Sequence, residues 1–176
     1  MSILLDATQI EEILSSLAKK IISATPSDSD IVVIGIRNRG ELLAQRLTGR
    51  ISEILEREIP RGTLDITLYR DDLNCPKGKT NFEVRTTEIG FDIEDKIVIL
   101  IDDVLYTGRS ARAAMAALLD LGRPKAIRLA VLIDRKIGRE LPIQADYVGY
   151  KCDVSADRSV QVNLVESDGI DKVVAE

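Results

Sequence analysis

Three apolar runs, IVVIGI at 31–36, KIVILI at 96–101 and AIRLAVLI at 126–133, each end in a polar turn that contains glycine. The runs are short, rich in β-branched residues and continuous rather than alternating, the pattern of strands buried on both faces. Helical patterns separate them: ELLAQRLTGRISEILERE at 41–58, and SARAAMAALLDLG at 110–122, which Gly122 ends with Pro124 just beyond. Ahead of the first run, ATQIEEILSSLAKKIISA follows Asp6 as N-cap, with Ile10, Ile13, Leu14, Leu17, Ile21 and Ile22 at helical spacing. Strand and helix in alternation require an α/β fold with a mostly parallel central sheet and helices on both faces.

The remaining segments are less regular. TLDITLY at 63–69 alternates as a strand does, and ADYVGY and SVQVNLVE read as shorter strands near the sheet edge. RDDLNCPKGKTNFEVRTTEIGF carries no long periodic pattern and reads as a flexible arm over about 70–92. No repeat or linker interrupts the chain, and 176 residues suit one domain over 1–176. The N-terminus meets charge at Asp6 and no stretch approaches spanning length, so a cytoplasmic protein with no membrane partner is expected.

Composition narrows the chemistry. The chain has no histidine, which excludes Ser/His and Cys/His nucleophilic mechanisms. Cys75 and Cys152 lack the spacing of a zinc site and read as free thiols. The net charge of −5 argues against a surface that binds nucleic acid everywhere, while leaving room for a local basic patch. Carboxylates, arginines and backbone amides must carry whatever chemistry occurs.

In such a sheet the ligand lies outside the carboxyl ends of the strands, where GIRNRG, DDVLYTGRS and DRKIGRE converge. Asp102 and Asp103 stand side by side there, although carboxylates in contact repel unless each is hydrated or partnered. TGRS at 107–110 falls where strand gives way to helix, so its amides face outward at the positive end of the helix dipole. Gly108 admits close approach, and the hydroxyls of Thr107 and Ser110 add donors. Phosphate in that loop and a vicinal diol on the two acids make a ribose 5-phosphate the natural guest. The GIRNRG turn offers Arg37, Arg39 and amides near Gly40 to a second anionic group; a solvated turn with Asn38 as N-cap is the competing reading.

VILIDDVLYTGRS at 98–110 resembles the phosphoribosyl pyrophosphate motif of the type I phosphoribosyltransferases: four apolar residues, two acids and a Thr-Gly-x-Ser/Thr close. DITLYRDDL, DDVLYTGRSARA and RELPIQADYVG together are similar to the PyrR family of bifunctional pyrimidine-operon regulators and uracil phosphoribosyltransferases. The resemblance implies that fold, and a reaction in which uracil displaces pyrophosphate from phosphoribosyl pyrophosphate to give UMP. Mg2+ would be bound with the donor, not directly by the protein. Asp102 and Asp103 match the ribose-binding acids and, with Arg70, the catalytic set. Val104, Leu105, Tyr106, Thr107, Gly108, Arg109 and Ser110 complete the motif around the 5-phosphate. Asn38, Arg39 and Gly40 match the pyrophosphate loop, and Asp134 and Arg135 fall where the family completes its base pocket. Tyr69, Arg70, Asp71 and Asp72 open the arm expected to close over the substrates. An oxocarbenium-like displacement needs no protein nucleophile, and a closed arm would exclude water.

The same resemblance implies UMP-responsive binding of pyrimidine-operon leader RNA and a homo-oligomer, dimer or tetramer. Lys19, Arg139 and Lys151 are the candidate RNA contacts. Arg123, Lys125, Arg128, Arg135, Lys136 and Arg139 against Asp134 alone give a local balance of 6 − 1 = +5, the kind of cluster RNA backbones require. The chain departs from the family in this region: its Arg-Gly-His-Arg-Glu-Leu-Pro becomes Arg135 to Pro142 without the histidine, and Gly149 to Ser155 replace Gly-Lys-Asn-Ile-Pro-Thr-Ser. An RNA-binding regulator that keeps the site as a nucleotide sensor, and a phosphoribosyltransferase for another base, are the alternatives.

Overall fold

The computed structural model describes residues 2–71 and 86–176. In chain order the elements are β1 (Ser2–Leu5), α1 (Ala7–Ala24), β2 (Ile31–Ile36), α2 (Arg39–Leu55), β3 (Arg61–Leu64) and a 3₁₀ turn (Thr67–Tyr69). There follow β4 (Ile97–Leu105), α3 (Arg109–Leu121), β5 (Ala126–Arg135), β6 (Tyr147–Cys152), β7 (Val160–Asn163), α4 (Val165–Asp168) and β8 (Lys172–Ala175). Asp72 and Cys75 lie outside the described residues, as does the arm from 72 to 85.

The central sheet has the order β3-β2-β4-β5-β6, every pair parallel. Its two faces feed two cores. Ile97, Ile99 and Ile101 pack with Leu14, Leu17, Leu43 and Leu47 of α1 and α2, while Val98 and Leu100 pack with Ala113, Ala114 and Leu118 of α3. Full burial of a Leu or Ile contributes roughly 1.5–3 kcal/mol, so the sheet is a firm base for the turns at its carboxyl end. The Asp6 carboxylate accepts the Gln9 amide at 2.9 Å and Gln9 returns a bond to the Asp6 amide at 3.0 Å, a capping box that fixes the start of α1.

Three expectations need correction. Strand β4 does not stop at the acids but runs through them to Leu105. TLDITLY is strand only to Leu64, because the Asp65 carboxylate accepts from the Thr67 amide and hydroxyl and turns the chain into the 3₁₀ segment. SVQVNLVE supplies β7, which lies not at the edge of the main sheet but in a second, antiparallel sheet of order β1-β8-β7. That sheet joins the two ends of the chain, with Ser2 opposite Ala175.

Candidate active site

Asp102 and Asp103 occupy a shift in the alternation of β4. Ile97, Ile99 and Ile101 face the α1/α2 core, yet Val104 joins that core too, while Leu105 joins the α3 core with Val98 and Leu100. The shift leaves both acids only partly buried at the end of a strand whose first five residues are fully buried. Each is held by its own backbone: Asp102 Oδ1 accepts the Asp103 amide at 2.9 Å, and Asp103 Oδ1 accepts the Val104 amide at 2.8 Å. Burial, reinforced by the charge of Asp103, pushes the Asp102 carboxyl well above the usual aspartate range, and the positive charge of Arg70 opposes that rise. Arg70 therefore bears on the acid pair, from the end of the 3₁₀ turn.

The phosphate-loop candidate follows directly. Gly108 is the N-cap of α3 with φ +93°, and Thr107 Oγ1 accepts the Arg109 amide at 3.3 Å. The Thr107 carbonyl accepts two amides, from Glu140 at 3.0 Å and Leu141 at 3.1 Å. Across a trans peptide the carbonyl and the next N–H point in opposite directions. The Gly108 N–H is thus aimed away from 140–141, and the segment 138–143 acts as a buttress. Gly138, at φ +98°, lies so close to the Tyr106 ring that a Cβ there would stand 2.2 Å from Cε2. Arg139 donates to the Tyr106 carbonyl and to the Asp134 carboxylate.

The GIRNRG turn is seated on β4 from the other side. The Arg37–Asn38 peptide is cis. Asn38 is the N-cap of α2 without a side-chain capping bond. Gly35 lets the helix approach its own strand, since a Cβ there would stand 2.5 Å from Glu41 Cα. Gly40 abuts the Ile101 carbonyl and the Asp102 Cα. The side chain of Arg39 is turned to the second sheet, with Nε donating to the Val162 carbonyl and Nη2 to Asp168, both at 2.9 Å. Arg37 pairs with Glu41 at 3.3 Å and Glu88 at 3.1 Å.

At the end of β5, Asp134 lies beside Leu105 in register and is buried. Arg135 is buried too, with its guanidinium 3.9 Å from the Tyr106 ring centroid and Nη2 donating to the carbonyls of Ser155 and Arg158 at 3.0 Å. It ties the 154–158 loop to the end of β5. The +5 run does not form one face: Arg123, Lys125 and Arg128 lie at the start of β5 or before it, and Arg135, Lys136 and Arg139 at its far end. Seven residues of strand, at ~3.3 Å each, put Arg128 and Arg135 about 23 Å apart, and the outer members of the two groups lie farther still. Lys19 on α1 and Lys151 on β6 are exposed.

The sequence gives Asp71 a place in the arm but not its pairing with Arg109, and it singles out neither Glu140 nor Gly138 as a working part. Glu140 was visible only as part of a resembling string, and a positive φ at Gly138 has no local signature.

Residues 1–168 match the family model described as a phosphoribosyl transferase domain. The chain is 51% identical over 171 residues to the Bifunctional protein PyrR of Pelotomaculum thermopropionicum, covering 97% of this chain and 93% of the relative. The chain belongs to the PyrR family. The PyrR protein of Alkaliphilus metalliredigens is 52% identical, over 98% of this chain and 93% of its own length. Among solved structures, the hypoxanthine phosphoribosyltransferase of Trypanosoma cruzi superimposes with a TM-score of 0.73 at 17% identity, covering 99% of this chain and 95% of that one. A hypoxanthine phosphoribosyltransferase of Staphylococcus aureus gives 0.72 at 21% identity, covering 98% and 90%. At such identity these likenesses show the type I phosphoribosyltransferase fold alone, which the PyrR family shares.

Proposed function

We propose that this chain is a uracil phosphoribosyltransferase, converting uracil and phosphoribosyl pyrophosphate to UMP and pyrophosphate, and a UMP-responsive regulator of pyrimidine-operon transcription attenuation. Membership of the PyrR family supports both halves. The observation that carries the enzyme half is the position of Asp102 and Asp103, with Gly40 against one side of their strand and the Thr107–Ser110 loop at its end.

In this reading the amides of Thr107 to Ser110 hold the 5-phosphate, the acid pair accepts from the ribose 2- and 3-hydroxyls, and the turn at Asn38, Arg39 and Gly40 receives the pyrophosphate. Arg70, already placed to act on Asp102, comes in over the donor with the arm. Asp134, beside Leu105, borders the space for the base. Charge that develops on the ribose ring is stabilised by carboxylates fixed in advance by backbone amides. Mg2+ is read as arriving on the pyrophosphate of the substrate, and the carboxylate oxygens of Asp102 and Asp103 are hard donors compatible with such an ion nearby. An ion bound there would supply charge that offsets the leaving pyrophosphate.

The RNA half rests on Lys19 and Lys151, exposed on α1 and β6, which pack together. Arg139 is engaged with Asp134 and contributes to the fold of that corner first. Leader RNA is the partner, a homodimer or tetramer the working form, and the cytoplasm its place. No helix among the described residues is long and apolar enough to cross a membrane. Incubation with labelled phosphoribosyl pyrophosphate and a panel of bases tests the enzyme half. UMP from uracil is expected; product from hypoxanthine, guanine or orotate and none from uracil overturns it.

A further inference from the structure

Arg109 stands in the middle of the phosphate-loop motif, yet its side chain is turned outward. Its Nη1 donates to Asp71 at 2.6 Å and its Nε to Glu140 at 2.8 Å. Two segments distant in sequence, the root of the arm and the buttress behind Thr107, therefore meet on one guanidinium. The same side of α3 fastens the root twice more. Arg112 Nη2 donates to the Tyr69 carbonyl at 2.6 Å, and the Tyr69 hydroxyl donates to Asp120 at 2.7 Å. Residues 109, 112 and 120 share a helix face, so 69–71 lie strapped along α3.

Stability does not account for the pairing. The side chains of Arg109, Asp71 and Glu140 are 37%, 46% and 50% exposed, and ion pairs so open to water contribute little to folding. Position is another matter. Asp71 adjoins Arg70, whose charge acts on Asp102, and Glu140 adjoins Leu141 while its own amide holds the Thr107 carbonyl. A shift of Arg109 therefore bears both on the residue next to Arg70, whose charge acts on Asp102, and on the amide that holds the Thr107 carbonyl.

We infer that Glu140 and Asp71 are positioning residues for the donor, acting through Arg109 to set the arm root and the phosphate loop in one register. The inference rests on the proposed reaction at the same site. It assigns the charge of neither carboxylate to substrate: both act at one remove, and the guanidinium between them couples their effects.

The test is a double-mutant cycle in the full chain, Asp71→Asn, Glu140→Gln and both together. The readouts are KM and kcat with phosphoribosyl pyrophosphate and uracil, melting temperature, and calorimetric titration with ribose 5-phosphate. Each single change is expected to raise the donor KM by about three- to tenfold and to move kcat by less than about twofold. The double variant should be no worse than the weaker single, because one broken contact already frees Arg109. Unchanged KM, effects that multiply, or a melting temperature that falls in step with KM would overturn the inference. If the wild-type protein transfers no phosphoribosyl group to uracil, the reaction proposed above is wrong, and the ribose 5-phosphate titration of the same four proteins still decides the coupling.

Discussion

Gly40 rests directly on the strand that carries Asp102: a Cβ built on it would stand 2.6 Å from the Ile101 carbonyl oxygen and 3.3 Å from the Asp102 Cα. The turn after β2 and the acids at the end of β4 are thus one packed unit, with no room for a methyl group between them. Gly40→Ala must push the turn off the strand. We expect a stability loss of about 1–3 kcal/mol and at least about a tenfold fall in kcat/KM, read by thermal melts and steady-state assays.

The acid pair predicts a trade between activity and stability. Asp102→Asn with Asp103→Asn keeps the shape and removes the charge, and should lower turnover at least about tenfold in a folded protein. Asp102 alone carries a pH signature. Its carboxyl titrates above the aspartate range in the folded chain, so ionising it costs stability as pH rises from about 4. Asp102→Asn should therefore melt higher than the wild type at neutral pH, and the gain should vanish below about pH 4. Melts of both proteins across that range check it.

Arg46 joins α2 to the second sheet. Its guanidinium donates to both carboxylate oxygens of Glu166, at 2.8 and 2.6 Å, and to both of Asp171, at 2.8 Å. These bonds hold both carboxyls below their usual range. Carboxyls depressed in this way contribute stability above about pH 4 that is lost as pH falls below it. Arg46→Met should cost about 2–4 kcal/mol at pH 7, and its melting temperature should respond less to acid than that of the wild type.

Gly138→Ala is expected to disturb the buttress, since alanine is strained at φ +98° and its Cβ would meet the Tyr106 ring. The expected signature is a higher donor KM together with a stability loss of about 1–3 kcal/mol. An alanine variant with unchanged melting and KM would show that the buttress is dispensable.

The three buried strands and the helices between them were legible because β-branched runs, N-caps and Gly122 are local signals. Strand β1 was not, since SILL is four residues long and pairs with residues 172–175, a contact with no local trace. The run of the strand through Asp102 and Asp103 was hidden for a similar reason: adjacent carboxylates look like a strand end, and only the neighbouring strand β5, which pairs with Asp102, Val104 and Leu105, shows that the ladder continues past them. The residues of the candidate site could be named because a ligand at strand ends draws on consecutive residues of turns. The basic run misled because closeness in sequence is not closeness in space along an extended strand. Glu140 and Asp71 needed the fold, since nothing in a sequence says that residues 69 apart share one arginine.

The central claim is that Asp102 and Asp103 read a ribose diol while the 107–110 loop holds its phosphate. Calorimetric titration with UMP and with its 2′,3′-dideoxy analogue tests it most directly. The wild-type protein should bind the analogue at least about tenfold more weakly, and the Asp102→Asn, Asp103→Asn variant should bind the two alike. Equal affinity of the wild-type protein for both nucleotides would contradict the account.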